Sequence, residues 1–151
     1  MEHFVSLFGP VDAILAREVL AAPVIAYLLL GLLLVNMVGR IVEYKQHESQ
    51  AEDGWEAISR HPLRVGTSFL LVVGSFYYMT IHHHGGLVFS TLVLGVFITD
   101  LFEFESRQVE ARNDRELDTP KGAITASLVA LLYILYQTLF FVVAPLWNQI
   151  V

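Results

Sequence analysis

The densest set of potential metal ligands in this chain is His82-His83-His84, followed at once by Gly85-Gly86. Neutral imidazole is a common ligand for Zn, Cu and Ni. Neighbouring side chains on a helix point about 100° apart, so three ligands from one stretch need an irregular turn, which the two glycines could supply. A complete site also needs a fourth group, from among His3, Glu2, Asp12 and Glu18. The alternative reading is a polar cap that ends one apolar segment and turns the chain into the next. Both remain open at this point. Bis-histidine haem would need two histidines facing each other from different apolar segments at similar depth. None of the apolar segments carries one in its interior: His47 and His61 lie in a polar connector and His3 in the N-terminal tail.

The second constellation is acidic. Asp100 and Glu103 stand three residues apart, hence on one helical face, near the end of an apolar run. Arg64, Arg40 and Asn36 fall at the same depth if the runs are antiparallel spans. Charges at that depth are usually paired or functional. The economical reading is a structural ion-pair cluster of Arg40, Arg64, Asp100 and Glu103 that pins the spans together. The sharper one is the mouth of a proton or cation path. The chain carries no phosphate-binding glycine loop, no serine or cysteine nucleophile with a base, and no zinc-protease motif. No catalytic residue is assigned.

The elements that must position these groups are apolar helices. The 151 residues are 55% hydrophobic, and the excess is concentrated in four blocks, each long enough at 1.5 Å per residue to cross a hydrocarbon core of about 30 Å. The spacing predicts spans at about 19–39, 63–81, 86–104 and 122–146 in a single membrane domain covering 1–151. Ahead of them, Phe4, Leu7, Phe8, Val11, Ile14 and Leu15 make an apolar stripe, with Glu2, Asp12 and Arg17 left to water. Broken at Gly9-Pro10, that stripe reads as an interfacial helix on the membrane. No cleavable leader is visible, so the first span is expected to stay in the mature protein. The connector after span 1 reads as a helix continuation that breaks near Asp53-Gly54. Span 3 is expected to continue as a helix into water, and Thr119 to cap the last helix with Pro120 at its first position.

Span 4 carries small residues every four positions, Gly122, Ala126 and Ala130, a pattern that lets helices approach closely. Tyr133, Tyr136, Phe140 and Phe141 add a bulky face beside the lone amide of Gln137. Several faces are therefore built for packing against protein.

Nine Lys and Arg face fifteen Asp and Glu. A net negative chain with two lysines is unsuited to nucleic acid, and suits a very salty interior where repulsion among carboxylates is screened. With no cysteine, disulfides, thiolate metal sites, iron–sulfur clusters and covalent c-type haem are excluded for this chain alone. Eight of the nine basic residues lie in or beside the two long connectors, 40–62 and 105–121. Positive charge stays inside, so the reading puts both connectors in the cytoplasm, with the histidine turn and both termini external.

In overall style, an external N-terminus, acidic cytoplasmic connectors and Leu/Val-rich spans, the chain resembles small four-span membrane proteins of halophilic archaea. The resemblance implies an accessory subunit of a respiratory complex of the cytochrome b and Rieske kind, and it assigns no residue a role. The expectation is an all-α polytopic membrane protein of four antiparallel transmembrane helices. It would be a non-catalytic accessory subunit with integral membrane subunits and lipid as partners, no cofactor of its own, and possible contact with lipid or quinone. The alternatives are a homo-oligomeric transporter or channel, or a metal-binding protein using His82–His84.

Overall fold

A computed structural model describes residues 8–151; of the expected N-terminal stripe, Phe4 and Leu7 fall outside the described residues. In chain order it contains α1 (Pro10–Leu15), a two-stranded hairpin β1 (Glu18–Val19) and β2 (Ala22–Pro23), and α2 (Val24–Glu52). A single 3-10 turn at Trp55–Ala57 follows, then α3 (Pro62–Ile81), α4 (His83–Arg112) and α5 (Lys121–Ile150). The chain is nearly all helix. Three of the helices, α2, α4 and α5, are long and apolar enough to cross a membrane.

The four long helices form a ring in which α2 contacts α3, α3 contacts α4, α4 contacts α5, and α5 returns to α2. Each presents one inward stripe built mostly of three- and four-residue steps. On α2 it is Ala26, Leu29, Leu33, Asn36, Arg40, Glu43 and His47, and on α3 it is Arg64, Thr67, Leu71, Ser75 and Tyr78. On α4 it runs Gly86, Phe89, Val93, Val96, Asp100 and Arg107, and on α5 Ala123, Ser127, Ala130, Ile134 and Thr138. Such a stripe repeats every 3.5 residues, the period of left-handed bundles. Its apolar part, from Leu29 and Leu33 through Phe89 to Ile134, makes the core.

Several local details depart from the sequence reading. The first long helix starts at Val24, because residues 18–23 fold into the hairpin and Val24 N–H donates to Arg17 O at 2.9 Å. Pro23 has no N–H to give and suits the position before a first turn. Asp12, expected in water, accepts from Tyr77 Oη at 2.6 Å and from Phe8 N–H at 3.0 Å. Thr119 does not cap α5. Pro120 sits at the cap position instead, and the free Ala123 N–H donates across to Glu103 Oε1 on α4 at 2.9 Å. A carboxylate there also complements the positive end of the helix dipole.

A single residue, His82, joins α3 to α4. A Cβ on Gly86 would lie 2.1 Å from Met79 Cα, so only glycine lets the two helices meet at this point. His82 ends α3 and caps α4, its Nδ1 accepting from Gly85 N–H at 3.1 Å while its ring stacks on Tyr78.

Candidate functional site

The inward stripes turn polar at the end of the bundle opposite the histidines, and there they meet. Asp100 stands at the centre. Arg40 Nη2 donates to Asp100 Oδ1 at 3.1 Å and to Oδ2 at 3.2 Å, and its Nε donates to Oδ1 at 3.2 Å. Arg64 Nη2 donates to Asp100 Oδ2 at 2.5 Å. The carboxylate therefore joins guanidiniums from α2 and α3. Arg40 is only 2% exposed and Asp100 9%. The α2–α4 diagonal is open enough for this because the neighbouring positions are small. Arg40 Nη1 donates to Ser127 Oγ at 2.6 Å, and Gly39 leaves room for the stem of Arg64, which a Cβ would approach to 3.1 Å.

Arg64 has three more acceptors. Its Nη1 donates to Asn36 O at 3.0 Å and to Asn36 Oδ1, and its Nε donates to Glu43 Oε2 at 3.3 Å. Asn36 Nδ2 in turn donates to Thr67 Oγ1 at 2.8 Å and Ser68 Oγ at 3.1 Å. Glu43 Oε1 accepts from His61 N–H at 3.0 Å, tying the start of α3 to α2.

A second layer lies farther along. His47 is fully buried, and its two nitrogens have different partners. Nε2 is 2.9 Å from Ser59 O and Nδ1 is 3.1 Å from Arg107 Nη1. A carbonyl only accepts and a guanidinium only donates, so the ring must carry its proton on Nε2 and be neutral. Burial is the largest cause holding its pKa below the ordinary value, and the nearby Arg107 and Arg60 charges act the same way; the Ser59 carbonyl and Glu43 oppose them. Gln50 and Ser59 exchange two hydrogen bonds of 3.1 Å, which fold the 53–61 connector onto α2. Guanidiniums lie over aromatic faces at the same level, Arg60 on Phe104 at 4.4 Å and Arg112 on Trp55 at 5.5 Å.

Of the four residues assigned to an ion-pair cluster by sequence, Arg40, Arg64 and Asp100 meet directly. Glu103 does not join them. One of its oxygens caps α5 and the other is 3.8 Å from Arg107 Nη2. Glu43, His47 and Arg107 were not assigned to the site. Glu43 and His47 continue the spacing of Leu29, Leu33, Asn36 and Arg40 on α2, and Arg107 follows Asp100 by seven residues on the buried face of α4. Reading polar residues as the end of a span hid this spacing.

The small-residue stripe is displaced. Gly122 is exposed and Ala126 half-buried; the buried small residues are Ala123, Ser127 and Ala130. Residues four apart drift around a helix of 3.6 per turn, so a strict four-residue stripe does not stay on one face. Gly122 still packs beside Thr99 and Glu103.

The three histidines do not come together as a ligand set. Among the described residues no group of three or more His, Asp or Glu could hold a metal ion, and His82 uses Nδ1 on its cap. His83 and His84 are exposed among the described residues.

Inside the site three arginines, Arg40, Arg64 and Arg107, stand against three carboxylates, Glu43, Asp100 and Glu103, beside a neutral His47. The charges balance, and they tie together α2, α3, α4 and α5. Chemically the arrangement around Asp100 is a cross-brace: a buried pair holds when both partners and their remaining donors are satisfied, and the buried side-chain atoms left without a partner, Glu103 Oε2 and Arg107 Nε, lie in the second layer. Its class is that of a helical bundle with apolar outer faces and an internal ionic clamp at one end. More particularly, residues 3–151 match a family described as a domain of unknown function, DUF7313, and the chain belongs to that family. No curated protein and no solved structure matches it.

Proposed function

We propose that the chain is a four-span integral membrane protein that serves as a non-catalytic subunit of a larger membrane complex. The observation that carries this reading is the closed, charge-balanced network around Asp100. Arg40, Arg64, Asp100 and Glu43 are committed to one another and to the start of α3, while Glu103 Oε2 and Arg107 Nε, farther along, make no hydrogen bond; so pinned a centre suits a brace better than a path for ions.

The fourth span of this reading is α3. Its 20 residues give about 30 Å, the thickness of the hydrocarbon core. Of its polar residues, Arg64, Thr67, Ser75 and Tyr78 are buried beside Leu71, while Phe69, Leu70, Val73 and Phe76 are exposed. Most of the helix's polarity faces inward, so its outer face suits lipid. The basic residues of the two connectors put the ionic clamp in the cytoplasmic leaflet and the histidine turn outside. The short α1, with Val11 and Ile14 exposed, then lies at the outer interface.

Partner contact falls to α5. Leu132, Tyr136, Phe140, Phe141, Val142 and Leu146 on it are uncovered by the rest of the chain, and Tyr133, Tyr136 and Phe140 form a run of adjoining rings. A respiratory host is what the resemblance implies.

The experiment is purification of the untagged complex from its source cells in a mild detergent, with identification of co-migrating proteins and a visible spectrum. Stoichiometric membrane partners support the subunit reading, and haem among them supports a respiratory host. A homo-oligomer without partners overturns it.

A further inference from the structure

An apolar cleft of about 640 Å³ opens between α2 and α3. Its walls are Leu28 and Leu32 on one helix and Leu70, Val73 and Phe76 on the other, and its floor is the contact of Gly74 with Leu29, where a Cβ would come within 2.9 Å. Phe8, Val11 and Leu15 close the end nearest the histidine turn. That roof is fastened by the Asp12–Tyr77 hydrogen bond and by the edge-on contact of Phe8 with Tyr77 at 5.5 Å.

Three properties of the cleft name its occupant. Among the described residues its only side-chain hydroxyls, on Tyr77 and Thr80, are already bonded, to Asp12 and to Tyr77 O, so an occupant meets no free polar side chain there and must be hydrocarbon. Leu28, Leu70, Val73 and Phe76 are also exposed on the outer surface, which makes the cleft continuous with the face the four-span reading gives to lipid. Its length along α3, from Leu70 to Thr80, is about 15 Å, half of a 30 Å core and hence one leaflet.

We infer that the cleft holds one hydrocarbon tail of a membrane lipid from the outer leaflet, threaded beneath α1 and retained when the bulk bilayer is removed. This rests on the membrane-spanning reading proposed above and is independent of the subunit role.

The test is native mass spectrometry of the full chain released from mild detergent, comparing wild type with Val73→Trp, which fills the cleft, and Leu132→Trp, which adds the same bulk to an exposed position on α5. The expected result is one lipid retained by wild type and by Leu132→Trp and lost from Val73→Trp. Should Val73→Trp fail to run as a single species on gel filtration, Leu28→Trp fills the cleft from the opposite wall. Equal retention in the filled and control variants overturns the site. So does a lipid-free wild type that gains a lipid only when residues 1–7 are removed, which makes the chain's own N-terminus the occupant, or a dimer abolished by filling the cleft, which makes it a second copy. Recovery of the chain in the soluble fraction after an alkaline membrane wash removes the spanning reading and this site with it. A membrane-bound chain whose lipid is indifferent to Val73→Trp removes the site alone.

Discussion

At the scale of single residues, Asp100 is the group on which the clamp depends. It is the one carboxylate shared by two buried guanidiniums. Asp100→Asn keeps its shape and removes its charge, leaving three arginines against two carboxylates. Removing one partner of a buried pair costs about 3–5 kcal/mol, and the thermal unfolding midpoint in detergent should fall accordingly; an unchanged midpoint would show that the network does not hold the bundle. Arg64→Leu should cost a similar amount, about 3–5 kcal/mol: Asp100 keeps Arg40, but buried Glu43 loses its ion pair and Asn36 a donor.

His47 adds a pH dependence. Its native pKa is depressed, first by burial and then by Arg107 and Arg60, so the unfolded chain takes up the proton more readily than the folded one. The stability that neutral His47 lends is complete above the unfolded value of about 6.5 and is lost as pH falls from there through the lower native value. Unfolding midpoints at neutral and mildly acid pH should diverge in wild type and converge in His47→Gln. Equal pH dependence in the two would assign the effect elsewhere.

At the scale of elements, glycines separate close approach from mere permissiveness. Gly86 meets the α3 backbone, and Gly95 has open space around it. Gly86→Val should force α3 and α4 apart at a cost of about 1–3 kcal/mol or more. Gly95→Ala should be neutral or stabilise α4 by about 0.5–1 kcal/mol, since alanine is the better helix former. Unfolding of the two variants side by side decides it, and a reversal of their order would contradict the packing described. Glu103 works at this scale as well: by capping α5 from α4 it fixes where the last helix begins, a contact no local motif on α5 encodes.

For the whole molecule, the proposed orientation can be read with single cysteines, because the chain has none of its own. His84→Cys should react with a membrane-impermeant maleimide in intact cells, and Asn113→Cys only after permeabilisation. Labelling in the opposite order would invert the topology. The ring of antiparallel helices puts the two long connectors at one end and the histidine turn at the other, so one pair of sites reports on the whole bundle.

What the residues alone determined was the helical class, the order and approximate limits of the long helices, and the position of each charge along its helix. Those follow from apolar run length and from proline and glycine placement, which are local. The continuation of the first and third long helices past their apolar parts to Glu52 and Arg112 was also legible, since nothing in those stretches breaks a helix before Asp53 and Asn113. Which charges pair was decided only in three dimensions. Asp100 and Glu103 have the same local spacing on α4, yet one turns to Arg40 and Arg64 across the ring and the other to the free N–H of Ala123 on α5. Position along a helix is a one-dimensional property that a sequence carries. The direction in which a side chain finds its partner depends on how four helices are rotated about their axes, and packing of the whole bundle sets that rotation.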